Sequence, residues 1–119
     1  MSTTITLSAA VLFGLMGVAA LVKPTFIAGL FSVKTLPSPM RSEVRAVYGG
    51  YGLAVAAALL LAFQGGVYAP GIILLVAMSL LGMAAGRVVA LAVDRTIDPW
   101  PGVFLVVEIA LGLALLWAL

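Results

Sequence analysis

An all-α, four-span integral membrane bundle is the fold class this sequence predicts, and three observations predict it. Of 119 residues, 65% are hydrophobic and only 8% are charged, whereas soluble domains carry about 25% charged residues to face water. The charged residues are Lys23, Lys34, Arg41, Glu43, Arg45, Arg87, Asp94, Arg95, Asp98 and Glu108, and most of them fall in a few short stretches. Between them lie the apolar runs Ile5–Val22, Ala46–Phe63, Gly71–Gly86 and Val103–Leu119, the last interrupted by Glu108. A helix crossing a hydrocarbon core about 30 Å thick needs roughly 20 such residues. The chain therefore reads as one domain, residues 1–119, with spans at about 5–22, 43–63, 70–93 and 99–119.

The first span ends at Lys23-Pro24, because proline removes a backbone donor and restricts the residue before it. Its N-terminal part, Met1–Ala20, holds no Lys or Arg, so it reads as a retained span and not as a secretion signal. The short apolar segment Thr25–Val33 is expected to form an interfacial helix, which keeps Lys23 at the surface; the competing reading continues span one past a kink. Leu36-Pro37-Ser38-Pro39 reads as a stiff extended connector, and Ser42 as the N-cap of span two, with Glu43 at the positive end of its dipole. Gln64-Gly65-Gly66 marks a tight turn, and Pro70 suits the first turn of span three. Asp94–Pro99 is a polar loop, with Asp98 or Pro99 opening span four.

Cysteine and histidine are both absent, which removes disulfides, thiolate chemistry and the common transition-metal sites. No cofactor is expected. The net charge of +2 is too small to suggest nucleic acid, and the basic residues flank the spans. The connectors after spans one and three carry all the loop charge, so the positive-inside rule places them in the cytoplasm and both termini outside.

The ionisable groups within or beside the spans form the candidate site. Arg45, Tyr48, Gly49, Gly52 and Ala56 share one face of span two at helical spacing, and Gly50 adjoins it. Small residues there admit another backbone, and Tyr48 offers a hydroxyl; otherwise Arg45 snorkels to headgroups and Tyr48 joins the aromatic belt. Gly82 and Gly86 make a small-xxx-small pair in span three, expected to be an internal helix contact. Arg87 lies roughly 10 Å inside Asp94 along the helix axis, and Glu108 sits at similar depth on span four. An unpaired charge there costs at least ~2.5 kcal/mol. A buried Arg87–Glu108 ion pair is therefore expected, with Asp94 two turns along the Arg87 face and Arg45 and Tyr48 nearby. Such a pair either fixes helix register or serves proton or ligand binding.

These residues together resemble a family of small bacterial four-span membrane proteins filed as a domain of unknown function. The resemblance rests first on Glu43-Val44-Arg45-Ala46-Val47-Tyr48-Gly49-Gly50, which is similar to an acidic-x-Arg-Ala-x-Tyr-Gly-Gly run opening the second span. Gly86-Arg87 followed by Asp94, together with Glu108 and Pro24, matches the rest of the pattern. One departure is Arg95, where the pattern has glycine. The resemblance implies a bacterial cytoplasmic (inner) membrane location and brings no activity with it.

Three functions remain in view. A non-enzymatic scaffold or accessory subunit suits the short loops and the Gly/Ala-rich faces, with lipids, other membrane subunits or a second copy as partners. A small transporter or lipid- or amphipath-binding bundle would use the polar cluster; small multidrug transporters are similar in size, but their Glu lies in the first span, and span one here has no acid. An enzyme acting on lipid ranks last, because no nucleophile motif, metal set or phosphate loop is present.

Overall fold

The computed structural model describes residues 2–119, the side chain of Ser2 excepted; Met1, the first residue of the expected domain, lies outside them. The described residues form five helices, α1 (Ser2–Val22), α2 (Pro24–Leu30), α3 (Ser38–Phe63), α4 (Ala69–Asp94) and α5 (Pro99–Ala118). The four long ones are each long and apolar enough to cross a membrane.

Each break has a local cause. Lys23 leaves the helical region at φ −141°, ψ 79°, as a residue before proline does, so α2 is a separate helix and not a kinked continuation of α1. Its end is a Schellman turn. Ser32 takes a left-handed φ of 65°, Ser32 N–H donates to the Gly29 carbonyl at 3.1 Å, and Val33 N–H donates to the Ala28 carbonyl at 3.0 Å.

Helix α3 corrects two expectations. It begins at Ser38, so Ser38-Pro39 belongs to its first turn and only the residues before it are extended. Proline is accepted there because the donor it lacks would have had no intrahelical acceptor. Ser42 is consequently inside the helix and caps nothing; Pro37, extended at ψ 157°, stands at the cap position. Arg41 Nη1 donates to the Leu36 carbonyl at 2.7 Å and ties this start to the connector. Residues Arg45–Gly50 then form a π-helical turn, closed by Tyr51 N–H on the Ala46 carbonyl. That inserted turn shifts the phase of everything after it relative to a uniform α-helix.

The remaining turns follow their residue chemistry. Gly65 and Gly66 hold φ of 85° and 98°, which is where glycine is needed. Pro70 lies in the first turn of α4, and Pro99 opens α5 behind an extended Asp98. Arg95 caps α4 in the left-handed region at φ 56°, with its N–H on the Leu91 carbonyl at 2.8 Å.

The helices pack as two antiparallel hairpins, α1 with α3 and α4 with α5, each closer within itself than to the other. The hairpins fuse at the end that carries the termini. There Ala9, Ala10 and Phe13 of α1, Leu59 and Ala62 of α3, Ile73, Val76, Ala77 and Leu80 of α4 and Leu115 of α5 form one apolar core. Lipid tails are as apolar as these side chains, so what holds such a core is close packing and dispersion, not expulsion from water.

The glycines show where packing is closest. A Cβ on Gly17 would stand 2.9 Å from both the Gly49 carbonyl oxygen and the Leu53 amide nitrogen. One on Gly52 would stand 3.1 Å from the Phe13 carbonyl oxygen, and one on Gly49 would stand 2.8 Å from a Leu21 methyl. Gly112 of α5 is pressed in the same way against Leu81, at 2.9 Å. Gly82 and Gly86 require a correction. A Cβ on either meets nothing within 4 Å, so the expected internal contact is absent there. The buried side of α4 follows Ile73, Val76, Ala77, Leu80 and Ala84, and Gly82 and Gly86 lie across the helix from that row. Gly50 is likewise loose, its nearest neighbour being the Arg45 carbonyl oxygen at 3.8 Å.

Candidate functional site

The half of the bundle near the charged loops is built differently from the apolar core. On α4 the buried row continues to Arg87, and on α5 the row Gly112 and Leu115 continues back to Glu108. The hairpin thus turns both side chains toward each other. Arg87 Nε donates to Glu108 Oε1 at 2.8 Å, and Nη2 donates to Oε2 at 3.1 Å. This fork-to-fork geometry is the strong form of a charged hydrogen bond. Glu108 is buried at 6% exposure, while the Arg87 side chain keeps 23%. Arginine has five N–H donors and the fork uses two of them, so Nη1 is left outside the pair.

An aromatic chain backs the pair. The Arg87 guanidinium carbon lies 5.4 Å from the centre of the Phe104 ring, a cation–π arrangement one turn from Glu108. Phe104 lies 6.1 Å from Trp100 on its own helix and 5.8 Å from Phe31, and Phe31 in turn lies 6.1 Å from Tyr48. Phe31, at the end of α2, therefore bridges the two hairpins where the apolar core has run out.

Of the five residues expected to form one network, Arg87 and Glu108 are the two joined by hydrogen bonds among the described residues, while Asp94 shares a groove with Arg87 without bonding to it. Arg45 donates through Nε to the Leu21 carbonyl at 3.1 Å, satisfying an orphan acceptor at the end of α1, and is exposed. Tyr48 contributes its ring to the Phe31 contact. Asp94 is exposed and makes no ion pair among the described residues. The expectation of a single buried network is corrected accordingly. Arg45 is held against the end of α1 instead. Sequence reasoning missed Phe31, Phe104, Gly17 and Gly112. Spacing on α5 was the available signal for two of these, since Phe104, Glu108 and Gly112 recur every four residues.

Two grooves mark the surface. One lies between α3 and α4 and is apolar, lined by Tyr51, Ala54, Ala58, Ile72, Leu75 and Ser79 among others. The Ser79 hydroxyl is turned into its own helix, on the Leu75 carbonyl at 2.8 Å. The other, about 200 Å³, opens at the charged-loop end over Arg87, with Leu91, Asp94, Thr96, Ile97 and Asp98 around it. Among the described residues no group of three or more acidic, His or Cys side chains could hold a metal ion.

Comparison with known proteins finds a family match over the whole chain. Residues 1–119 match the family described as "Domain of unknown function (DUF4345)". The chain belongs to that family. No curated protein and no solved structure matches this DUF4345 chain. The family carries no described activity, so the functional reading rests on the geometry above.

Proposed function

We propose that this DUF4345 protein is a non-enzymatic membrane scaffold or accessory subunit, whose Arg87–Glu108 pair locks the second hairpin in register. The observation that carries this reading is that both Glu108 oxygens are already held by Arg87, at 2.8 and 3.1 Å. A carboxylate that exchanged protons or cargo would have to give up one of those bonds at each cycle, and that speaks against the small-transporter alternative. While the charge is turned inward, the outward face of α4 presents Gly82 and Gly86 with open space above them, and such faces let a neighbouring helix approach closely. The positive-inside bias supports a cytoplasmic position for both charged loops in a bacterial inner membrane.

The test exploits the absence of cysteine from the chain. Single-cysteine variants Gly82→Cys and Gly86→Cys, cross-linked in native membranes, should give a defined higher-mass species. Val47→Cys, on the exposed side of the other hairpin, should give none. Extraction of a stable monomer with no cross-link from any of these positions would refute the assembly reading.

A further inference from the structure

The groove over Arg87 combines charges in a fixed vertical order. Arg87 is the lining residue furthest from the charged loop along α4, with Nη1 outside the Glu108 fork. Asp94 and Asp98 line it at the loop between α4 and α5, both exposed and neither in an ion pair among the described residues, with Thr96 between them in sequence. Seven residues separate Arg87 from Asp94, roughly 10 Å along the helix axis. At 26 residues, α4 is about 39 Å long and exceeds a hydrocarbon core of about 30 Å, so its ends reach the headgroup layer.

From this arrangement we infer that the groove binds the headgroup of an aminophospholipid, meaning a phosphodiester bearing a protonated primary amine. In such a lipid the phosphate lies deeper and the ammonium further out, the same order as Arg87 below Asp94 and Asp98. The phosphate oxygens accept from Arg87 Nη1, and the three ammonium N–H groups donate to the two carboxylates and the Thr96 hydroxyl. Because Glu108 already balances Arg87, the two free carboxylates leave the groove net negative. A purely anionic headgroup is therefore disfavoured, and a quaternary ammonium lacks the donors the carboxylates need. Leu91 and Ile97, exposed on the same groove, offer apolar contact to the glycerol and upper chains. Apart from Arg87, which keeps its fork to Glu108, the site uses residues that the scaffold reading leaves idle, and either can fail without the other.

The experiment is competitive lipid retention on the purified full chain, read by native mass spectrometry. The probes are phosphatidylethanolamine, phosphatidylcholine and phosphatidylglycerol of matched acyl chains. Phosphatidylethanolamine should be retained roughly tenfold over the other two. The double variant Asp94→Asn/Asp98→Asn should abolish that preference. Neither carboxylate makes a hydrogen bond or ion pair among the described residues, and asparagine still suits the Asp98 cap position, so the fold should survive and a circular dichroism spectrum checks it. Equal retention of the three lipids, or an undiminished preference in the double variant, would overturn the assignment. So would displacement of the lipid by equimolar O-phosphoethanolamine, because the ligand would then be a soluble phosphoamine and not a lipid.

Discussion

The two hairpins face the same problem and meet it by different means. Within a bilayer, burying apolar surface against a neighbouring helix gains little over burying it against lipid. The first hairpin holds together by bringing backbones close, with Gly17, Gly49 and Gly52 removing the side chains that would keep α1 and α3 apart. The second does use one close glycine, Gly112, but nearer the charged loops it relies on the Arg87–Glu108 fork. Glycine contact is tolerant of chemistry and intolerant of volume. The fork is tolerant of neither, since removing one partner leaves the other charge without compensation.

This difference can be tested by breaking each device in turn. The largest effect is expected at the fork. Arg87→Met or Glu108→Leu alone should cost about 3 kcal/mol of unfolding free energy in mixed detergent micelles, whereas the two together should recover most of it. Additive losses in the double variant would show that the residues act separately. In the first hairpin, Gly17→Ala pushes a methyl to 2.9 Å from backbone atoms that do not yield easily. It should cost about 2 kcal/mol in the same titration. Gly82→Ala, placed in open space, should stay within about 0.5 kcal/mol and serves as the control.

Smaller effects sharpen the comparison. Arg95 holds a left-handed φ of 56° at the turn that joins α4 to α5, a conformation that disfavours side chains. Arg95→Gly should raise the stability of the second hairpin by about 1 kcal/mol, read as a later midpoint in the titration. Arg45→Met removes the exposed bond from the first hairpin to the Leu21 carbonyl. It should cost roughly 0.5 kcal/mol, since an exposed donor is easily replaced by water or headgroups.

Much of the architecture was legible in the chain because the signals are local. Lys23-Pro24 breaks a helix wherever it stands, and Gly65-Gly66 accepts positive φ that other residues resist. The meeting of Arg87 with Glu108 was also within reach, since depth follows from 1.5 Å per residue and a lone charge at depth needs a partner. Two features were less accessible. The start of α3 at Ser38 was hidden by a Pro-Ser-Pro run that reads equally as extended chain or as a first turn. The π turn at Arg45–Gly50 has no reliable composition signature, and the bond of Arg45 to the Leu21 carbonyl joins residues 24 apart in sequence.

The sequence by itself determined that there are four crossing-length helices, where they break, and which charges lie too deep to stand alone. Those properties depend on hydropathy, proline, glycine and helical rise, all of which act over a few residues. Only the tertiary structure decided which glycines are pressed between helices and which face outward, and that Phe31 fills the gap between the hairpins. A small residue looks the same in a sequence whether a neighbour lies 2.9 Å away or nothing lies within 4 Å. The difference belongs to the rotation of one helix about its axis relative to another, and the packing of the whole bundle sets that angle.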